Sequence, residues 1–227
     1  MTDNYYAKNL NASNLHRVYE TRIERVKRYL DAEIDFVRRG LRGDERILEL
    51  GAGYGRIMKA LAPFAASVTG IDISEESVAF GREHLADMPN CRIETMDAHA
   101  LAFDAEFDVV LCLQNALSAM KGDAADTVAR CMKALVPGGT LYCSSYSAKF
   151  WEHRLSWFRE QADKGLLGAI DEEKTRDGLI VCRDGFVART FSEADLDALG
   201  RASGYPYRVE EVDESSVFLV IGKKETK

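Results

Sequence analysis

Glu49 stands in an apolar run, Ile47-Leu48-Glu49-Leu50, and glycines then occupy every second position: Gly51, Gly53 and Gly55. Two further acids end strand-like runs downstream, Asp72 after Val68-Thr69-Gly70-Ile71 and Asp97 after Glu94-Thr95-Met96. Alternating glycines at a strand tip let a ligand lie against bare backbone, and the helix that follows starts with unpaired N–H groups. A carboxylate at a strand tip accepts hydrogen bonds from hydroxyl or amino groups of a ligand. The spacing narrows the ligand. A dinucleotide fingerprint, G-x-G-x-x-G, needs its third glycine where Arg56 stands. Here that glycine comes one residue early, which argues against a nicotinamide oxidoreductase.

These residues need a scaffold that brings the strand tips together. From Glu45 the chain alternates short apolar runs with helical patterns. The expected strands lie near 46–50, 67–71, 91–96, 107–113 and 139–145, and the expected helices near 54–64, 75–86 and 122–135. Such alternation implies parallel strands joined by right-handed crossovers, with helices covering both faces. Upstream, Leu15, Val18, Ile23, Val26, Leu30, Ile34 and Val37 recur at helical spacing. They predict one or two amphipathic helices over 14–39, stopped by Gly40. After Ser147 the rhythm changes. Residues 150–158 read as an aromatic-rich helix, 165–175 as an irregular connector, and Asp184-Gly185 as the two-residue turn of a hairpin. Ser192 caps a helix to about residue 203, and two last strands lie near 206–212 and 216–222.

The order acid-x-G-x-G-x-G at the end of a first strand resembles the first motif of the class I S-adenosylmethionine (SAM) dependent methyltransferases. The likeness continues in Val68 to Asp72, similar to that family's second strand with its ribose-binding acid, and in Glu94 to Ala98, similar to its third strand with an adenine-binding acid. Phe107 to Cys112 is similar to its fourth strand, and Leu135-Val136-Pro137-Gly138-Gly139-Thr140-Leu141 to the L-x-P-G-G-x-L run before its fifth. Ordered motifs cover residues 44–147 and only looser likeness covers the flanks. The resemblance implies a Rossmann-like, doubly wound α/β fold with a seven-stranded, mostly parallel sheet whose last strand is antiparallel. The expected organisation is one domain over 1–227: a helical lid at 1–43, a SAM-binding core at 44–147, a substrate-side insertion at 148–191, and a terminal helix and β-hairpin at 192–227.

The same resemblance implies site residues. Gly51, Ala52 and Gly53 would carry the backbone that meets the methionyl part of SAM, and Glu49 would order this loop or receive the ammonium through water. Asp72 would accept both ribose hydroxyls, or alternatively cap the next helix, and Ile73 would pack on the adenine. Asp97 would take the adenine amino group and Ala98 a ring nitrogen; the alternative for Asp97 is a capping acid. Leu113, Gln114 and Asn115 leave the fourth strand, where the family places the transferable methyl group. Asn115 and Tyr146 are candidate catalytic residues, with His153 as the base if an alcohol is methylated. Tyr19 and Arg25 are expected to reach the cofactor from the first helices. Tyr5, Tyr6, Trp151, Arg154 and Trp157 are candidates for the acceptor pocket, the aromatic ones holding a cationic substrate and Arg154 a carboxylate. The competing assignment for the insertion's aromatic residues is core of the added helix.

The N-P-P-Y tetrad of amide and nucleobase N-methyltransferases is absent. Net charge is −7, which argues against a surface tracking phosphates. A small-molecule methyl acceptor, releasing S-adenosylhomocysteine, is therefore expected rather than a protein or tRNA. A protein that binds SAM without turnover remains the non-enzymatic alternative. The five cysteines form no C-x-x-C pair, so neither a disulfide framework nor a zinc site is expected. No apolar run reaches the roughly 18 residues of a membrane span, and the first residues lack a signal-peptide pattern. A cytoplasmic protein without membrane or nucleic-acid partners is expected, its oligomeric state open, a homodimer included.

Overall fold

The computed structural model describes Tyr5 and residues 10–225. Tyr6, an expected substrate contact, lies outside the described residues. The helices are α1 (Ala12–Tyr19), α2 (Glu24–Arg38), α3 (Arg56–Leu61), α4 (Glu75–His84), α5 (Ala116–Met120), α6 (Ala124–Ala134), α7 (Trp151–Asp163) and α8 (Glu193–Ser203). The strands are β1 (Arg46–Leu50), β2 (Ser67–Asp72), β3 (Cys91–Thr95), β4 (Phe107–Cys112), β5 (Leu135–Tyr146), β6 (Leu179–Val181), β7 (Val187–Arg189), β8 (Tyr207–Val212) and β9 (Ser216–Gly222).

Seven strands form one sheet in the order β3-β2-β1-β4-β5-β9-β8, and β6 pairs with β7 in a separate ribbon. Strands β1 to β5 are mutually parallel, and β9 runs antiparallel to both β5 and β8. The sheet is therefore the Rossmann-like, mostly parallel one expected, with its last strand reversed. Alternation along β1 shows why its buried side chains are mostly apolar. Ile47 faces a core shared with Ile57, Met58 and Leu61 of α3 and Val78 of α4. Leu48 and Leu50 face the opposite core, shared with Val128, Cys131 and Met132 of α6 and Leu196 of α8. With both faces covered, the interior strands are mostly apolar, and Glu49 at the tip of β1 is a buried exception.

A third core lies at the carboxyl end of the sheet. Val18 of α1, Val26, Tyr29 and Leu30 of α2, Tyr146 of β5 and Phe150, Trp157 and Phe158 around α7 pack together with Ile180 and Phe186 of the insertion. The N-terminal helices and the insertion thus share one apolar cluster. It sits over the strand tips that carry the candidate site.

Local departures from the expected elements have local causes. β5 starts at Leu135, several residues early, because Leu135 already pairs with Phe107 of β4; the register then shifts, with Pro137-Gly138-Gly139 in the irregularity, and Thr140 pairs with Val109. A Cβ on Gly139 would come within 2.9 Å of the Asp108 carbonyl, so glycine allows that approach. The first core helix ends at Leu61 and passes into a 3-10 turn at Ala62–Phe64, which contains Pro63. The N-terminal segment breaks into two helices, and α5 is a short helix that the sequence pattern did not indicate.

Candidate active site

β1 lies between β2 and β4, whose connections leave it in opposite directions across the sheet. Such a switch point opens a crevice at the carboxyl ends of the strands. Here the crevice is a cavity of about 1430 Å³, counting its open mouth, and it is lined by Glu49, Gly51, Asp72, Asp97, Gln114 and Tyr146 among others. The tips of β1, β2 and β3 meet on it from one side and those of β4 and β5 from the other. Among the described residues no group of three or more His, Cys, Asp or Glu side chains could hold a metal ion.

The wall on the β2 and β3 side is polar and fixed by backbone. Asp72 Oδ2 accepts from the Gly53 amide at 2.8 Å and Oδ1 from the Ser74 amide at 2.9 Å. Each oxygen keeps a further lone pair for a ligand hydroxyl. Burial raises the Asp72 carboxyl, and those two N–H groups oppose the shift. Asp97 Oδ1 accepts from the His99 amide at 2.9 Å, so it caps the short turn at Ala98–Ala100 while its side chain borders the cavity. Ala98 is buried beside it, and Ile73 is exposed at the mouth. Ala52 and Leu113 are buried in the lining.

The floor under β1 and β4 holds buried polar atoms without partners among the described residues. They are Glu49 Oε2, Arg56 Nε and Nη2, and Gln114 Nε2. Such orphans are uncommon in a folded interior and mark a place for a polar ligand. The Arg56 guanidinium lies over the Tyr19 ring at 4.6 Å. The Tyr19 hydroxyl donates to Gln114 Oε1 at 2.9 Å, which fastens α1 to the tip of β4. Burial pushes the Glu49 carboxyl up to about 8, aided by the Asp72 charge and opposed by Arg56. Arg56 was not among the expected site residues. The available signal was its place directly after the third glycine, in the first turn of α3.

The titration of Glu49 has a sign that can be checked. Its folded value of about 8 lies above the ordinary 4.5, so the folded chain holds a proton that the unfolded chain has lost. That contribution is complete below the unfolded value and disappears as pH rises through the folded one. The melting temperature of the ligand-free protein is expected to fall from about pH 5 to about pH 8. Glu49→Gln is expected to flatten that slope, and an unchanged slope in calorimetric scans of the variant would refute the assignment.

The wall on the β5 side is aromatic. Tyr146, Trp157, Phe158 and Phe186 line it, with Leu10, Val18 and Gln161. Trp157 donates from Nε1 to the Val18 carbonyl at 3.1 Å, so it holds α1 in place while it faces the cavity. Tyr5 bonds to Asp184 through its hydroxyl and packs edge-on against Phe186, with ring centroids 5.1 Å apart.

Other expected site residues sit elsewhere. Asn115 is buried, but its amide donates to the Arg189 carbonyl at 2.9 Å and its Oδ1 accepts from Ser145 Oγ at 2.8 Å. It ties β4, β5 and β7 together behind the cavity wall. Arg154 is fully buried and donates to the Gly178 and Ala188 carbonyls at 2.9 and 3.3 Å, with its guanidinium 4.3 Å from the Tyr146 ring centre. It joins α7 to the β6–β7 ribbon rather than facing the cavity. His153 is exposed on the outer face of α7. Arg25 pairs with Asp213 at 2.8 Å and lies over Phe150, outside the cavity lining. Trp151 is half-buried against the third core and also outside the lining.

The fold and the site define an α/β protein with a crevice at the switch point of its sheet. The family described as "Methyltransferase domain" matches residues 47–139. The ubiquinone biosynthesis O-methyltransferase of Hydrogenovibrio crunogenus is 27% identical over 194 residues, an alignment covering 84% of this chain and 70% of that protein. The enzyme of the same name from Aromatoleum aromaticum is 35% identical over 115 residues, 49% of this chain and 47% of its own, so the chain spans about half of that relative. Among solved structures, the Burkholderia thailandensis 1,6-didemethyltoxoflavin-N1-methyltransferase with bound 1,6-didemethyltoxoflavin and S-adenosylhomocysteine has a TM-score of 0.64 at 18% identity, covering 99% of this chain and 92% of that one. Residues 47–139 thus match a methyltransferase domain, and the chain shares the fold of the solved methyltransferase.

Proposed function

We propose that the chain transfers the methyl group of SAM to the hydroxyl of a small, uncharged, ring-containing acceptor. The observation that carries this reading is the set of unpartnered buried atoms on the cavity floor, Glu49 Oε2, Arg56 Nε and Nη2, and Gln114 Nε2. An acid, a guanidinium and an amide with free hydrogen-bonding capacity match the ammonium and carboxylate of an α-amino acid. Asp72 and Asp97 then meet the ribose and the adenine. The ubiquinone biosynthesis relatives support an oxygen acceptor, and the aromatic wall supports a ring compound. The organisation into lid, core, insertion and terminal hairpin fits the shared apolar cluster over the cavity.

When bound, SAM supplies a methyl carbon already activated by its positive sulfur. The protein's work is alignment and exclusion of water. Tyr19 and Trp157 hold α1 across the cavity, and Gln114 is held in one orientation by Tyr19. Tyr146 stands at the end of β5, beside the aromatic wall, where it can orient the acceptor.

Calorimetric titration tests the reading. SAM and S-adenosylhomocysteine are expected to bind and NAD is not; tight NAD binding or no S-adenosylhomocysteine binding would end it. Asp72→Ala is expected to weaken S-adenosylhomocysteine by on the order of 2–3 kcal/mol through two lost hydrogen bonds. Because Asp72 also holds the Gly53 and Ser74 amides, the variant is expected to melt earlier too.

A further inference from the structure

The aromatic wall of the cavity holds one side-chain amide among its described residues. Gln161 of α7 is 3% exposed and lines the cavity with Trp157 and Phe158, which stand one helical turn before it on the same face. Polar neighbours on this helix serve the fold. Arg154 donates to the Gly178 carbonyl and Trp157 to the Val18 carbonyl, and Glu160 accepts from the Thr21 hydroxyl and the Arg22 amide. The Gln161 backbone carbonyl accepts from the Leu166 amide at 3.0 Å, but its side chain hydrogen-bonds to none of the described residues. A buried amide without a partner is disfavoured in an apolar wall, and leucine or methionine would fill the same space without that cost. The amide therefore points to a ligand rather than to the fold.

We propose that Gln161 is a specificity-determining residue of the acceptor site: its amide donates a hydrogen bond to a neutral oxygen, carbonyl or hydroxyl, at the end of the acceptor remote from the methylated hydroxyl. This deepens the methyltransferase reading above and rests on it. The Tyr146 ring, beside which the acceptor hydroxyl is oriented, lies 4.3 Å from the Arg154 guanidinium. Gln161 follows Arg154 by two helical turns, about 10 Å along α7. A phenol with an oxygen on its para substituent bridges such a separation with one hydrogen bond at each end. The wall offers no cation among its described residues, since Arg56 lies over the Tyr19 ring on the floor. A carboxylate at Gln161 would be buried without a counter-charge, so the oxygen it meets is a neutral one.

Gln161 takes no part in the bond changes at the methyl carbon. Its contribution is a choice between acceptors. An acceptor lying on Trp157 and Phe158 takes the amide out of contact with solvent, and one without an oxygen there leaves the amide unpaired. A site built to hydrogen-bond a substrate group rejects the analogue that lacks it. Because the bond is the same in bound substrate and in transition state, it acts on KM and leaves kcat alone.

The test compares wild type with Gln161→Met, which keeps the length of the side chain and removes its N–H donors. The probe acceptors are matched pairs, para-hydroxyacetophenone with para-ethylphenol and para-hydroxybenzyl alcohol with para-cresol, and the probe ligand is S-adenosylhomocysteine. The members of a pair differ in one oxygen, and their intrinsic reactivities cancel when the variant is divided by wild type. Gln161→Met is expected to raise KM for the oxygenated members on the order of tenfold, to leave or lower KM for the plain ones, and to leave kcat unchanged. It is expected to bind S-adenosylhomocysteine like wild type and to melt no earlier, because it removes no hydrogen bond within the fold. Gln161→Leu carries the same expectations if the methionine variant folds poorly. Equal changes for both members of a pair would overturn the proposal. Early melting of both variants would assign Gln161 to the fold and overturn it too. So would a wild type that binds S-adenosylhomocysteine but methylates none of the probes, with the cofactor reading left standing. Failure to bind S-adenosylhomocysteine at all would instead remove the reading beneath it.

Discussion

Arg56→Leu is expected to reduce affinity for S-adenosylhomocysteine by on the order of 10²- to 10³-fold, about 3–4 kcal/mol, without unfolding the chain. Arg56 is the only arginine or lysine among the described residues lining the cavity. Two of its nitrogens have no partner among the described residues, and it opposes the burial shifts of both Glu49 and Glu33. Removing it deletes the counter-charge for a ligand carboxylate. It also leaves both buried acids more firmly protonated, so Glu49 offers less charge to the ligand's ammonium. The two effects act in the same direction on the amino-acid end of the ligand and leave the adenosine end alone. Methylthioadenosine, which lacks that end, is therefore expected to bind wild type and variant equally. Leucine loses the guanidinium stacked on Tyr19 but keeps an apolar side chain at that place, so the melting temperature is expected to change little. Paired calorimetric titrations with the two ligands decide the matter. A variant that loses both ligands alike has lost the pocket's shape, and one that keeps both has shown that Arg56 does not meet the carboxylate.

Two buried acids besides Asp72, Glu49 and Glu33, differ in how visible they were. Glu49 was legible because it precedes alternating glycines, a pattern with few other uses. Glu33 hides in an amphipathic helix. The buried stripe of α2 is Val26, Tyr29, Leu30, Glu33 and Val37, and a lone acid in such a stripe was the available sign. The same periodicity separates residues on α7. Arg154, Trp157, Phe158 and Gln161 follow helical spacing and are buried, whereas His153 falls one step off that face and is exposed. The assignment of His153 as a base did not use that spacing.

Asn115 was beyond reach of sequence reasoning for a different reason. It follows Gln114 in a turn where both residues have positive φ, 54° and 61°. That turn aims its amide at the Arg189 carbonyl, 74 residues downstream. Nothing local predicts that β7 will lie there. The core strands and helices were legible because apolar periodicity and glycine turns are local properties. The placement of Arg154 under the β6–β7 ribbon, and of α1 over the cavity, depends on a core assembled from distant segments.

Gly53→Val is expected to abolish detectable binding of S-adenosylhomocysteine, and the structure assigns the cause to the lid as much as to the ligand. Gly53 has a φ of 56°, a left-handed conformation in which a β-branched residue is strained by roughly 1–3 kcal/mol. An added Cβ would also come within 2.5 Å of Leu15 Cδ2 on α1. The Gly53 amide is one of the two donors that hold Asp72, so a loop that shifts to relieve either problem also releases the ribose-facing acid. Backbone strain, lid collision and loss of Asp72 alignment therefore converge on one residue. Hydrogen exchange is expected to quicken in α1 of the variant and to stay slow in the sheet. Gly53→Ala separates the causes, because alanine keeps the collision and carries less strain. If the collision dominates, Leu15→Ala restores much of the affinity that Gly53→Ala removes; if strain dominates, the two losses add. A Gly53→Val protein that still binds S-adenosylhomocysteine within about tenfold of wild type, roughly 1.4 kcal/mol, would mean that the loop reaches its ligand by a conformation other than the one seen here.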